Sequence, residues 1–156
     1  MKICTHEYPE ESPFNHLFNF WNFPLSNFQK HAIEGIAKGF HVFVSAHTGC
    51  GKTLVAEAAI LSAHKLGKKL IYTSPIKALS NQKMREFQDK FPNINFGIIT
   101  GDRADNPDAD VLIMTTEILR NTLFQMKSIE EGIMDEKNTK LHFKMDIAKD
   151  CGWVVF

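Results

Sequence analysis

Apolar residues recur along this chain in two alternating rhythms. Short continuous runs at residues 41–46, 70–74, 96–100, 111–114 and 152–156 suit strands buried on both sides. Between them lie segments whose apolar residues return every three or four positions, the period of a helix. In residues 27–38, Phe28, Ala32, Ile33 and Ile36 share one face, and Gly39 stands where a helix ends. Residues 52–66 are apolar on most sides and stop at Gly67, as expected of a helix laid on a sheet. Residues 77–90 place Met84, Phe87 and then Phe91 at inward spacing. A last helix is predicted to about Met126, with Thr115 or Thr116 able to cap it and Glu117 in its first turn. Strands alternating with helices predict an α/β fold, a mainly parallel sheet covered on both faces.

Three stretches fall outside this rhythm. Residues 1–22 are irregular and aromatic and read as an N-terminal lead-in packing on the domain. Residues 101–110 read as a polar loop, and residues 127–145 as a polar insert of mixed charge. No internal repeat is visible.

Composition narrows the class. With 156 residues and 44% hydrophobic content the chain suits one domain with one core. Eighteen basic and eighteen acidic residues cancel, so overall charge speaks neither for nor against a nucleic-acid partner. Cys4, Cys50 and Cys151 include no C-x-x-C pair, which gives no disulfide framework or zinc ribbon and fits a reducing, intracellular compartment, cytoplasmic or nuclear. No signal-like leader and no run long enough to span a membrane is seen.

The chemistry concentrates in Ala46-His47-Thr48-Gly49-Cys50-Gly51-Lys52-Thr53. It follows the phosphate-loop pattern G-x-x-x-x-G-K-S/T except that Ala46 replaces the first Gly. A turn between a strand and a helix aims backbone N–H groups and a helix N-terminus at one point, where a phosphate is stabilised. Lys52 adds a charge for the β and γ phosphates of a nucleotide, and the Thr53 hydroxyl suits Mg²⁺. Ala46, Thr48, Gly49, Cys50, Gly51, Lys52 and Thr53 are thus candidate nucleotide-binding residues, with Lys52 and Thr53 the catalytic candidates. No base is placed to activate the Cys50 thiol.

Four further stretches fall in order: Phe23-Pro24-Leu25-Ser26-Asn27-Phe28-Gln29, Thr73-Ser74-Pro75-Ile76-Lys77-Ala78-Leu79-Ser80-Asn81-Gln82-Lys83, Thr100-Gly101-Asp102 and Thr115-Thr116-Glu117-Ile118-Leu119-Arg120. With the phosphate loop they resemble the first RecA-like domain of superfamily 2 DExH-box helicases, most closely the Ski2/Mtr4-like group of RNA helicases. The resemblance covers roughly residues 20–126 and 151–156, and Ala46 is a variant typical of it. It implies a RecA-like nucleotide-binding domain over residues 23–156.

In such helicases the first stretch reads adenine, an aromatic ring stacking on the base and an amide bonding its edge; those roles would fall to Phe23 and Gln29. The later stretches resemble motifs Ia, Ib and Ic, which grip the backbone of a bound strand. By that resemblance Pro75, Lys77, Ala78, Gly101, Thr116 and Arg120 are nucleic-acid candidates. The wording of residues 74–83 looks more like the Ski2/Mtr4-like RNA group than like DNA-acting relatives, so the resemblance favours RNA over DNA.

The resemblance therefore implies the ATP-binding portion of an ATP-dependent helicase, with ATP, Mg²⁺, single-stranded nucleic acid and a second RecA-like domain as partners. It also places an Asp-Glu-x-His box immediately after the strand that ends at Phe156. The expectation is an incomplete domain that by itself neither hydrolyses ATP nor unwinds. Two other classes stay open. A small kinase would share the phosphate loop but has no reason to carry Gln29 or the Thr100 and Thr115 stretches. A non-catalytic nucleic-acid-binding module would bind RNA without nucleotide.

Overall fold

The computed structural model describes residues 3–134, 143, 145 and 147–156. The chain divides into two compact units, Met1–Ser62 and Ala63–Phe156.

The second unit is built on a five-stranded sheet. Its elements are β1 (Lys69–Ser74), α3 (Lys77–Lys90), β2 (Phe96–Thr100), β3 (Arg103–Asp105), β4 (Val111–Thr115), α4 (Thr116–Glu130), α5 (Ile147–Asp150) and β5 (Cys151–Val155), following α1 (Asn27–Ala37) and α2 (Thr53–Lys65) in the chain. The strand order is β3-β2-β4-β1-β5, parallel throughout except for the β2–β3 pair. Every residue of β2 and β4 is buried, which is why their sequences are continuous apolar runs rather than alternating ones.

Successive side chains on a strand point to opposite faces. On one face Ile71, Ile99, Leu112 and Met114 pack with Ile118 and Leu119 of α4. On the other, Phe87 of α3 meets Tyr72 edge-on at 5.3 Å and stacks near Phe96 at 6.3 Å. Full burial of each such side chain is worth about 1.5–3 kcal/mol. The two-faced α/β sheet predicted from the pattern is therefore present.

Several expectations are corrected. Residues 41–46, expected as a strand, join no strand ladder, and Phe43 is 92% exposed. Apolar and β-branched composition suits a pleated surface, but a strand exists only where its backbone groups pair. Within residues 101–110, β3 pairs antiparallel with β2 through a tight turn at Gly101 and Asp102. Three exposed residues carry no apolar alternation that would announce a strand. Helix α4 continues to Glu130, into the stretch read as a polar insert. Phe143 and Met145 of that stretch are buried in the α4-side core, so it is not wholly a solvated excursion. Residues 135–142, 144 and 146 lie outside the described residues.

In the first unit a 3₁₀ helix, Asn15–Phe20, lies within the lead-in. Helix α1 buries Gln29, Ala32, Ile33 and Ile36. Phe28 is only half-buried, so the inward face carries Gln29 where the apolar pattern placed Phe28.

Candidate nucleotide and nucleic-acid sites

The phosphate loop turns at Thr48–Cys50 and enters α2 at Thr53. Gly49 (φ 85°) and Gly51 (φ 83°) both lie in the left-handed region that glycine adopts without steric cost. The Lys52 ammonium donates to the carbonyl oxygens of Ala46 at 2.7 Å and His47 at 2.8 Å, which draws its charge over the loop. Two of its three N–H groups are used in this way. Cys50 Sγ also faces the His47 oxygen, at 2.8 Å, and the thiol acts as a local brace.

Gln29 is tied into the same loop. Its Oε1 accepts from the Ser26 N–H at 2.9 Å, closing a capping box at the start of α1. Its Nε2 donates to the Gly51 carbonyl at 3.2 Å. A Cβ on Gly51 would stand 2.7 Å from that nitrogen, so glycine is required here for space as well as for φ. An amide has two N–H groups and two lone pairs; these bonds use one of each, which keeps an adjacent donor and acceptor for a base edge. Phe23 is 54% exposed and lines a cavity of about 380 Å³ with Phe18, Trp21, Pro24 and Lys30.

The sequence pattern did not single out Trp21. Its indole Nε1 donates to Glu57 Oε2 at 3.0 Å, with both side chains buried, and thereby fastens the lead-in to the helix that leaves the phosphate loop. The one available signal was at the other end of the bond: Glu57 is a lone acidic residue in the apolar run 54–61 of α2, which names no partner.

The remaining candidates gather at the carboxyl ends of β1, β4 and β2 in the second unit. Register pairs Ser74 with Thr115 and Ile99 with Met114, so the three ends are level. Pro75, Lys77 and Ala78 are exposed at the turn into α3. Beneath them, Ser74 Oγ donates to the Ile76 carbonyl at 3.0 Å and meets Ser80 Oγ at 2.7 Å, and both serines are buried. Ser80 sits on the α3 face that Met84, Phe87 and Phe91 define, so its burial was readable from spacing.

Thr116 Oγ1 donates to the Ser74 carbonyl at 3.3 Å, which joins the start of α4 to the end of β1. Thr115 occupies the N-cap position of α4 without a side-chain cap bond. Gly101 stands beside Lys77, whose Nζ pairs with Asp102 Oδ1 at 3.0 Å. Arg120, one turn along α4, lies over the Phe124 ring at 5.6 Å. Each unit thus assembles its own set, the nucleotide-site candidates in the first and the nucleic-acid candidates in the second.

A sequence model of the DEAD/DEAH box helicase family matches residues 26–149. The chain is 50% identical over 137 residues to the antiviral helicase SKI2 of Saccharomyces cerevisiae, a match covering 85% of this chain and 10% of that protein. It is 46% identical over 147 residues to the chloroplastic DExH-box ATP-dependent RNA helicase DExH15 of Arabidopsis thaliana, covering 88% of this chain and 12% of that protein. It is 42% identical over 164 residues to mRNA transport homolog 4 of Caenorhabditis elegans, covering 96% of this chain and 15% of that protein. The chain therefore spans about a tenth to a seventh of the length of these relatives. Among the described residues, no helix is long and apolar enough to cross a membrane.

Proposed function

The chain belongs to the DEAD/DEAH box helicase family, and from that premise we propose that it is the ATP-binding portion of an ATP-dependent DExH-box RNA helicase. The single observation that carries this reading is the Gln29 amide bridging the Ser26 cap and the Gly51 carbonyl. A phosphate loop alone accepts any nucleotide. A loop bonded to an amide with a remaining donor and acceptor couples phosphate binding to a base edge, and adenine N6 and N7 match that pair.

Bound ATP would supply the phosphoanhydride whose cleavage drives the cycle. Lys52 would exchange its carbonyl partners for β and γ phosphate oxygens, a stronger charge-assisted pairing. Among the described residues no group of three or more His, Cys, Asp or Glu side chains is set to hold a metal. The Thr53 hydroxyl would share Mg²⁺ with the phosphates of the nucleotide. Phe23 would stack on the base. Pro75, Lys77, Ala78, Gly101, Thr116 and Arg120 would follow the backbone of one RNA strand without reading its sequence.

Titration of the chain with a fluorescent ATP analogue tests this reading. Binding should be competed by ATP better than by GTP, be lost in Lys52→Ala, and lose its adenine preference in Gln29→Ala. Equal binding by the Lys52→Ala protein would overturn it. Tight RNA binding unaffected by nucleotide would instead favour a non-catalytic binding module.

A further inference from the structure

Lys77 is the first residue of α3 and one of the proposed backbone contacts, yet its charge already has a partner. Asp102 lies in the β2–β3 turn, 3.0 Å from the Lys77 ammonium. Thr100 Oγ1 donates to the same carboxylate oxygen at 2.8 Å and fixes its direction. Gly101 lies between them beside the lysine: a Cβ there would stand 3.8 Å from Lys77 Cε, an ordinary contact distance. Lys77 and Thr100 together hold the Asp102 carboxyl below its usual range, so it is ionised at neutral pH.

We propose that Asp102 is a built-in competitor for the nucleic-acid phosphate at Lys77, setting how tightly this edge of the sheet holds a strand. The proposal rests on the reading of Lys77 as a backbone contact. The carboxylate occupies the position a phosphate oxygen would take against the ammonium. Both side chains are more than half exposed, so the pair is weak and exchangeable rather than structural. Strand binding would then replace one anion by another and leave Asp102 to take up a solvent cation. Net counter-ion release per contact falls accordingly. Such a site grips lightly and releases readily, which suits a strand that must be passed along.

The test is single-strand oligouridylate binding to the chain, read by fluorescence anisotropy across a salt series. Asp102→Asn keeps an acceptor for Thr100 but loses the charge. It should bind roughly two- to five-fold more tightly, the range an exposed ion pair commands. Its salt slope should steepen by about 0.7, one contact's worth for a single strand. Asp108→Asn makes the same net-charge change elsewhere in the loop and should leave both values near the parent. In a Lys77→Ala background the gain from Asp102→Asn should vanish. A gain that persists there, or that Asp108→Asn reproduces, means a general charge effect and overturns the proposal. If Lys77→Ala weakens binding while Asp102→Asn does not tighten it, the proposal fails and the contact reading stands. If Lys77→Ala changes nothing, both fall.

Discussion

The indole N–H of Trp21 donates to the Glu57 carboxylate at 3.0 Å across 36 positions of sequence, with both side chains buried. Glu57 stands one turn into the helix that begins at Thr53, so this bond braces the helix by which the chain leaves the phosphate loop. Replacing Trp21 by Phe keeps much of the apolar contact but withdraws a donor from a buried carboxylate. The expected cost is about 1–3 kcal/mol of stability. Glu57→Gln keeps an acceptor for the indole and should cost less. Urea unfolding followed by far-ultraviolet circular dichroism checks the order; equal midpoints for Trp21→Phe and the parent would sink it.

Gly51 is constrained twice, by φ of 83° and by the Gln29 amide 2.7 Å from where a Cβ would sit. Gly49 shares the positive φ (85°) but has open space around it. Gly49→Ala should therefore cost only the backbone strain, about 1 kcal/mol. Gly51→Ala should cost more and also push Gln29 away from the loop. Gln29→Ala in that background removes the clash and leaves the strain, so the two changes should be non-additive. Fluorescent nucleotide affinity and unfolding midpoints, measured on the four proteins of this cycle, decide it; strict additivity would show that the contact carries nothing.

These two sites show what the sequence does and does not disclose. The phosphate loop and Gln29 were legible because both are local patterns: a spacing of Gly and Lys, and an amide ahead of it. The sheet was legible because β2 and β4 are buried on both faces and need apolar residues at every position. Trp21–Glu57 was not, because a contact between distant positions leaves no period in the chain. Residues 41–46 failed in the opposite sense: their composition suits a strand, but pairing is decided by a partner rather than by the segment itself. β3 was invisible because its three residues are all exposed and owe their state to the backbone of β2. The inward shift from Phe28 to Gln29 followed from the capping box, whose return arm turns that amide toward the loop.

Gly97 on β2 carries a sharper steric demand. Its φ is ordinary, but a Cβ would meet the Asn106 carbonyl oxygen at 2.1 Å. That carbonyl cannot swing aside freely. Asn106 is itself in the left-handed region (φ 51°), and its side-chain amide donates to Asn95 Oδ1 at 2.6 Å and to the Phe96 carbonyl at 3.1 Å. Gly97→Ala must therefore move backbone rather than a side chain. It should destabilise by about 3 kcal/mol, at the upper end of overpacking costs. Gly101→Ala, whose added Cβ meets only the Lys77 side chain at ordinary contact distance, should be nearly silent. Thermal or urea unfolding of the two variants side by side is the check; similar losses for both would contradict the steric account.

The chain has two tyrosines, and burial raises the phenol pKa of each. At Tyr72 burial is the leading cause, with Glu86 adding in the same direction and Lys83 opposing. At Tyr8 burial leads, the Ser12 hydroxyl opposes it, and Glu34 adds to the rise. A folded-state pKa above the unfolded value of about 10 means the neutral phenol is favoured by the fold. Its contribution to stability is fully present below that unfolded value and is lost as pH rises through the folded one. Phenolate absorbance of the native protein should therefore lag that of the urea-unfolded chain as pH is raised past about 10. Unfolding midpoints should begin to fall over the same interval. Tyr72→Phe should remove half of the phenolate signal and leave the Tyr8 half still shifted upward. Native and unfolded curves that superimpose would show that neither ring is protected from solvent in the way the packing of Tyr72 against Phe87 requires.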